Sequence, residues 1–283
     1  MQSTGGQDPE YLSHLKTTCG NNRRYASISL MDICEANAKA WDNEVRQHNY
    51  WTLPVSGEQI EAARNGNPGI WVTPFRNVPL RWVESLKGRN VLVACGGGGQ
   101  QTPVLAAYGC IVTALDISKA QLEQDRLTLE KYGLNADLVN GNVLDMPFAD
   151  RQFDAVIMPQ AMNFIDDIGK LYASVRRVLK PGGTFIFGTA NPVLYMFDEK
   201  VQQRRLKVKY TIPFSHTTSF SKASLEARLA KADTVEFSHT LDSILGGLVG
   251  AGFTVTGFYT DISGSEPTDS FVHDSHLAIL ARN

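Results

Sequence analysis

The chain has 283 residues, of which 43% are hydrophobic and 20% charged, with a net charge of −2. That length suits one large α/β domain with a cap, or two small domains. The near-neutral charge gives no general affinity for nucleic acid or anionic membrane, and no apolar stretch is long enough to span a bilayer.

Residues 1–27 are polar and irregular, with Gly5-Gly6 and Gly20-Asn21-Asn22, and read as a mobile arm. Asp8 and Glu10 argue against a secretory signal there. Ser29 to Gln47 carries Leu30, Ile33, Ala36 and Ala40 in a helix-like arrangement. Gly57 to Arg64 predicts a second helix, capped by Ser56. All four tryptophans, Trp41, Trp51, Trp71 and Trp82, fall in a segment broken by Pro54, Pro68, Pro74 and Pro79. Such aromatic surface either packs on the core or lids a ligand. Residues 28–87 are therefore expected to form a cap.

Val91 to Ala94 is an apolar run suited to a buried strand, and Cys95 leads from it into Gly96, Gly97, Gly98 and Gly99. A strand that turns into a helix on glycines brings bare backbone N–H groups against a ligand. Val112–Leu115 is the second strand and ends in Asp116, nineteen residues after Gly97. An acid at that tip suits the two hydroxyls of a ribose. The fingerprint G-x-G-x-x-G fails, because Gln101 or Thr102 stands where the third glycine belongs. A nucleoside-bearing cofactor other than a dinucleotide is the expectation.

Alternation continues with a charged helix at Lys119–Tyr132 and strands at Ala136–Asn140 and Phe153–Met158. A helix at Ile168–Leu179 then stops at Lys180-Pro181-Gly182-Gly183, and Thr184–Ala190 is the fifth strand. This order predicts a parallel sheet with helices on both faces. After a helix at Leu241–Ala251, strands Thr254–Tyr259 and His276–Ala281 follow with no helix-length crossover, so they should pair antiparallel. The interlude 195–238 holds Lys200, Arg204, Arg205, Lys207 and Lys209. It reads either as a solvated charged hairpin or as a substrate cover.

Cys19, Cys34, Cys95 and Cys110 show no metal or redox spacing. Cys95 and Cys110 read as small buried thiols, and a reducing cytoplasm fits the set. His273 and His276 flank Asp274, but no further ligand at metal spacing joins them, so no metal is expected.

Five segments in order carry a resemblance: Val-Leu-Val-Ala-Cys-Gly-Gly-Gly-Gly (91–99), Leu-Asp-Ile-Ser (115–118), Gly-Asn-Val-Leu-Asp-Met-Pro-Phe (141–148), Phe-Asp-Ala-Val-Ile (153–157) and Arg-Val-Leu-Lys-Pro-Gly-Gly (177–183). Together they resemble the class I S-adenosylmethionine-dependent methyltransferases. The resemblance implies a Rossmann-like α/β fold over residues 88–283, with a mostly parallel seven-stranded sheet ending in an antiparallel hairpin. It implies S-adenosylmethionine as cofactor and in-line methyl transfer to an oxygen, nitrogen or sulfur atom of a small molecule.

Position by position, the resemblance sets Cys95, Gly96, Gly97 and Gly99 beside the methionine part of the cofactor. It sets Asp116 on the ribose, Ile117 and Val143 on the adenine faces and Asn142 at its edge. Met158 and Pro159 fall where a backbone carbonyl meets the ammonium. Two departures stand out. Val93 replaces a common acid, and Cys95 a common glycine. One of Gln100 and Gln101, with Gln101 the first candidate, is expected to donate to the cofactor carboxylate. Trp71 and Arg76 are candidates to close over it, with Arg76 pairing its carboxylate.

An alcohol acceptor needs a general base, whereas an amine or thiolate may need none. His239 is the base candidate, near the start of the last helix, with a cap or core role as its alternative. Asn163 and Tyr195 are candidates to touch the acceptor; a turn and a packing role are their alternatives. The alternatives to a small-molecule enzyme are an RNA or tRNA methyltransferase using 200–209 as a phosphate track, and a non-catalytic S-adenosylmethionine-binding protein. Nucleic acid and membrane are not the expected partners, and monomer and homodimer both remain open.

Overall fold

The computed structural model describes residues 30–198 and 205–283. The predicted arm at 1–27, Cys19, Lys200 and Arg204 lie outside the described residues.

The sheet has seven strands: β1 (Asn90–Ala94), β2 (Ile111–Asp116), β3 (Asp137–Asn140), β4 (Phe153–Met158), β5 (Leu179–Ala190), β8 (Thr254–Asp261) and β9 (His276–Arg282), with two short strands, β6 (Phe214–Ser215) and β7 (Phe237–Ser238), paired apart from it. The spatial order is β3-β2-β1-β4-β5-β9-β8. Pairing is parallel from β3 to β5, while β9 runs antiparallel to both β5 and β8. The predicted terminal hairpin is therefore real, and β9 inserts between β5 and β8. Its connection is not all loop, since Thr268–Phe271 forms a helical turn within it. Chain order reverses between β1 and β4, and ligands bind at the carboxyl edge beside such a switch point.

Helices cover both faces. On one, α3 (Gln101–Tyr108) and α2 (Gly57–Arg64) pack together with the Trp82 segment; Val91, Val93, Ile157 and Ile186 point into that core. On the other, α5 (Ile168–Val178) buries Leu171, Tyr172, Val175 and Val178 against Leu92, Val156, Phe185 and Phe187. Strand residues alternate between the two clusters, as the pleat requires. The predicted cap of α2 is a full capping box: Ser56 Oγ accepts from the Gln59 N–H at 3.4 Å, and Gln59 Oε1 accepts from the Ser56 N–H at 2.9 Å.

Some bounds differ from the expectation. Helix α5 stops at Val178, and the Lys180–Gly183 stretch is already drawn into β5, where Gly182 N–H donates to the Asn283 carbonyl at 2.9 Å. The helix expected at 241–251 opens as a π-turn, Asp242–Gly246, before Gly247–Gly250 becomes regular. A mid-helix change of winding is invisible to apolar periodicity.

Helix α1 (Leu30–Arg46) lies against α4 (Lys119–Tyr132). Asp42 Oδ1 accepts from Ser118 Oγ at 2.6 Å and from the Ala120 N–H at 3.0 Å, so it caps the start of α4 from outside. Asn37 is buried and ties α1 to the far side. Its Oδ1 accepts from the Val235 N–H at 2.7 Å, and its Nδ2 donates to the Val235 carbonyl at 3.0 Å. Trp41 meets Phe164 edge to face at 5.1 Å. Helix α1 thus reaches across the carboxyl edge of the sheet.

Candidate active site

The glycine run is a backbone device first. Cys95, Gly97, Gly98 and Gly99 all have positive φ, from +52° to +80°. A Cβ on Gly98 would lie 2.2 Å from Gln121 Oε1 and 2.8 Å from the Gln121 carbonyl. The turn is held from below by Asp125, whose Oδ1 accepts from the Gly99 N–H at 2.6 Å and Oδ2 from Thr102 Oγ1 at 3.1 Å. Burial pushes the Asp125 pKa up to about 6 against those two bonds. From above, the Val55 N–H donates to the Gly99 carbonyl at 2.9 Å, and Gln100 Nε2 donates to the Trp51 and Leu53 carbonyls.

Over this turn opens a cavity of about 970 Å³ at the carboxyl ends of β1, β2, β3 and β4. Residues ahead of β1 supply one wall through Cys34, Trp41, Trp51 and Trp71; the sheet edge supplies Cys95, Gly97, Asp116, Ile117, Asn142, Val143 and Pro159. Three of the four tryptophans thus face the cavity. Trp82 instead packs in the core, 5.5 Å from the Tyr259 ring.

Asp116 is buried at the tip of β2, and Ser118 N–H donates to its Oδ1 at 2.8 Å. Burial pushes its pKa up to about 7, with Asp125 and Asp42 raising it further and the Ser118 and Ile117 amides opposing. Gln121 lines the same cavity, and its buried Oε1 has no hydrogen-bond partner. Two acceptors on one wall fit a ribose, whose hydroxyls are donors. Gln101 is also buried; its Oε1 accepts from the Trp71 N–H at 3.3 Å while its Nε2 has no partner. The residues present therefore fit a nucleoside cofactor.

Several expected positions sit elsewhere. Gly96 and Gly99 shape the turn and Met158 is wholly in the core; none of the three lines the cavity. Gln101 lies behind the wall. Arg76 stacks on Tyr259 at 4.7 Å, and its guanidinium reaches the Thr260 carbonyl, away from the cavity. Asn142 has its Oδ1 on the Leu144 N–H at 2.9 Å, while Nδ2 points to Cys34 Sγ at 3.5 Å. Cys95 is only half-buried and faces the cavity, unlike buried Cys110. Burial raises both thiols well out of the range where a thiolate forms.

His239 does not line the cavity. Its Nε2 bonds the Ile165 carbonyl at 2.9 Å, which spends it on holding the turn after β4. Asn163 does face the cavity, and its Oδ1 is buried without a partner. Tyr195 lines a second cavity of about 390 Å³, and its Oη donates to Glu236 Oε2 at 2.8 Å. Gln160, Asn163 and His276 line both cavities and form the wall between them. In the sequence, His276 stands out only through its closeness to His273 and Asp274. Its position at the start of the last strand, which inserts beside β5, was the signal available.

A methyltransferase of the class I, S-adenosylmethionine-dependent family is what this sheet order, glycine turn and buried β2 carboxylate define, and the chain belongs to that family. It is a methyltransferase whose methyl donor is S-adenosylmethionine. The family model described as "Methyltransferase domain" matches residues 91–187. Within the family the chain is similar to the uncharacterized methyltransferase YbaJ of Bacillus subtilis, at 41% identity over 239 residues, covering 84% of this chain and 93% of that one. The fold is also that of an S-adenosylmethionine-dependent methyltransferase from Listeria monocytogenes, at TM-score 0.57 and 18% identity over 72% of this chain and 93% of that one. A 1,6-didemethyltoxoflavin-N1-methyltransferase from Burkholderia thailandensis shares it at TM-score 0.55 and 14% identity, over 92% of each chain.

The Cys95 backbone gives a test of the turn. At φ +57° a side chain with a Cβ is strained by roughly 1 kcal/mol, which glycine does not suffer. Cys95→Gly is expected to raise the melting temperature by a few degrees in thermal unfolding of the ligand-free protein. An unchanged or lower value would mean that the thiol's packing outweighs the strain.

Proposed function

We propose that the larger cavity holds S-adenosylmethionine with its ribose on Asp116 and Gln121. The adenine lies between Ile117 and Val143, and the methionine end lies over Cys95 and Gly97. The observation that carries this is Asp116, a buried carboxylate at the tip of β2 whose two backbone amide donors, Ser118 and Ile117, do not offset the cost of its burial. Two ribose hydroxyls supply them. Gln101 Nε2, buried and without a partner, is the side-chain donor that this reading assigns to the cofactor carboxylate.

The N-terminal segment acts as a lid, since α1 and the tryptophans of residues 41–71 complete the cavity. The acceptor is a free metabolite in the cytoplasm. The described part of the 195–238 insertion supports that reading over an RNA track. Lys209 is paired with Asp198 and stacked on Tyr210, and Arg228 is turned inward onto Glu236. No helix among the described residues is long and apolar enough to cross a membrane.

Calorimetric titration tests the cofactor. S-adenosylmethionine and S-adenosylhomocysteine are expected to bind one per chain at micromolar affinity, and NADH not at all. Failure of both to bind a folded protein would overturn the reading. Tight RNA binding with a steep salt dependence would favour the RNA alternative.

A further inference from the structure

Beside the cofactor cavity, the second cavity of about 390 Å³ has its own character. Tyr195, Phe197, Tyr210 and Phe214 line it, with ring centroids 5.5 Å apart for Tyr195–Phe214 and 4.9 Å for Tyr210–Phe214. Aromatic walls of this kind serve either a cation or a flat neutral ring. Among the described residues one carboxylate, Glu236, lies on the wall, and it decides between them. Glu236 already accepts from Tyr195 Oη at 2.8 Å, from Thr234 Oγ1 at 2.9 Å and from Arg228 at 3.4 Å. Its charge is matched, so the wall offers no excess negative charge to a cation. A flat, uncharged aromatic ligand of about ten to fifteen heavy atoms suits the space.

The wall shared with the cofactor cavity carries two buried atoms without partners, Asn163 Oδ1 and His276 Nδ1. The ring of His276 also meets the Ile262 backbone carbonyl. A carbonyl only accepts, and Nδ1 has no partner, so the proton on that contact belongs to Nε2. Nδ1 of the neutral ring is then an acceptor without a partner, buried in the wall that both cavities share. Burial keeps the ring neutral, against the opposing pull of the Ile262 carbonyl, Asp261 and Asp269. Two acceptors at the junction ask for donors on the ligand.

We propose that the second cavity is the acceptor site, that it takes a planar aromatic compound bearing a phenolic or enolic hydroxyl, and that His276 Nδ1 is the general base for methylation at that oxygen. This deepens, and rests on, the placement of S-adenosylmethionine in the larger cavity. The hydroxyl oxygen forms a bond to the methyl carbon as the carbon–sulfur bond breaks. The electron pair of that bond stays on sulfur, which neutralises the sulfonium. The hydroxyl proton passes to His276 Nδ1 and from there to solvent. Asn163 Oδ1 accepts from a neighbouring donor and sets the ring in plane.

The test uses the full chain with catechol, 2,3-dihydroxynaphthalene and 8-hydroxyquinoline as probes, and 8-aminoquinoline for comparison. Wild type, His276→Asn and Leu194→Trp are first titrated with S-adenosylhomocysteine, which wild type and Leu194→Trp should bind equally, and kcat is then compared at a cofactor concentration that saturates each protein. Leu194 lines only the second cavity, and the added bulk of a tryptophan there obstructs it. Wild type is expected to bind at least one hydroxy probe and convert it to its O-methyl ether, whereas Leu194→Trp should do neither. His276→Asn should lose about 100-fold or more in kcat at pH 7. It should regain most of that loss as pH rises through the probe's own hydroxyl pKa, which a merely structural histidine would not show. If S-adenosylhomocysteine binds wild type but no hydroxy probe binds or reacts, the acceptor proposal falls and the cofactor reading stands. Methylation of the amine alone, or a His276→Asn loss that persists at high pH, also overturns it. Loss of S-adenosylhomocysteine binding in wild type would bring down the cofactor reading instead.

Discussion

Asp116→Asn is expected to bind S-adenosylhomocysteine at least about 100-fold more weakly than wild type, and yet to be the more stable protein at pH 8. The affinity follows from two charge-assisted hydrogen bonds to the ribose, each worth roughly 1.5–3 kcal/mol. The stability follows from linkage. The unfolded side chain ionises near 3.8 and the folded one near 7. Between those values the folded state holds the extra proton, so stability declines as pH rises through the window and levels off above about 7. Asparagine has no proton to lose and keeps the acceptor that Ser118 N–H uses. The gain at pH 8 is on the order of 2 kcal/mol, taken well below the full shift because the site relaxes and admits water. Below pH 4 the two proteins should have similar stability.

Wild-type affinity for the cofactor should in turn fall about tenfold per pH unit below 7, because the ribose is held by the ionised form. The Asn variant should lack that dependence. Calorimetry and thermal unfolding from pH 4 to 8 check both parts. Equal affinity in wild type and variant would remove Asp116 from the site. A wild type that is more stable than the variant at pH 8 would mean that the carboxylate is matched by donors even without ligand.

Gly188→Ala should be the most damaging glycine-to-alanine change among the described residues. A Cβ at residue 188, within β5, would lie 1.6 Å from the Val72 carbonyl oxygen and 2.6 Å from its carbon. Both are backbone atoms, so no rotamer change relieves the clash, and the cap must move off the sheet. Overpacking of this kind costs about 3 kcal/mol or more. The strand β5 is paired on both sides and cannot bend away. The expected result is a melting temperature lower by about 10 °C, together with weakened cofactor binding, because Trp71, Val72 and Thr73 line the cavity. Gly250→Ala, where a Cβ meets nothing within 4 Å, is the control and should be neutral or slightly stabilising. Normal stability in Gly188→Ala would show that the cap and sheet are not in close contact there.

How much of this could be read before folding varies by element. The turn at 95–99, Asp116 at the end of β2 and the antiparallel hairpin were legible because each is signalled within a few residues: apolar run, glycines, acid, apolar run. The capping box at Ser56 and Gln59 is local too. His239 misled because a polar residue before a helix looks the same in sequence whether it faces a ligand or holds a turn; only the Ile165 carbonyl at 2.9 Å distinguishes them. Arg76 misled likewise, since its aromatic partner, Tyr259, is far along the chain.

The sequence by itself determined the alternation of strand and helix, the nucleotide-type turn and the acid that answers it, because hydrophobic period, glycine and charge act over one or two turns of chain. Tertiary structure alone decided which residues share a wall. Asn37 meets Val235 across 198 residues, Val72 meets Gly188, and His276 is carried by the inserted last strand to the boundary between two cavities. The physical reason is that a binding site is a meeting of chain segments whose contacts are stabilised only once the sheet has brought them together.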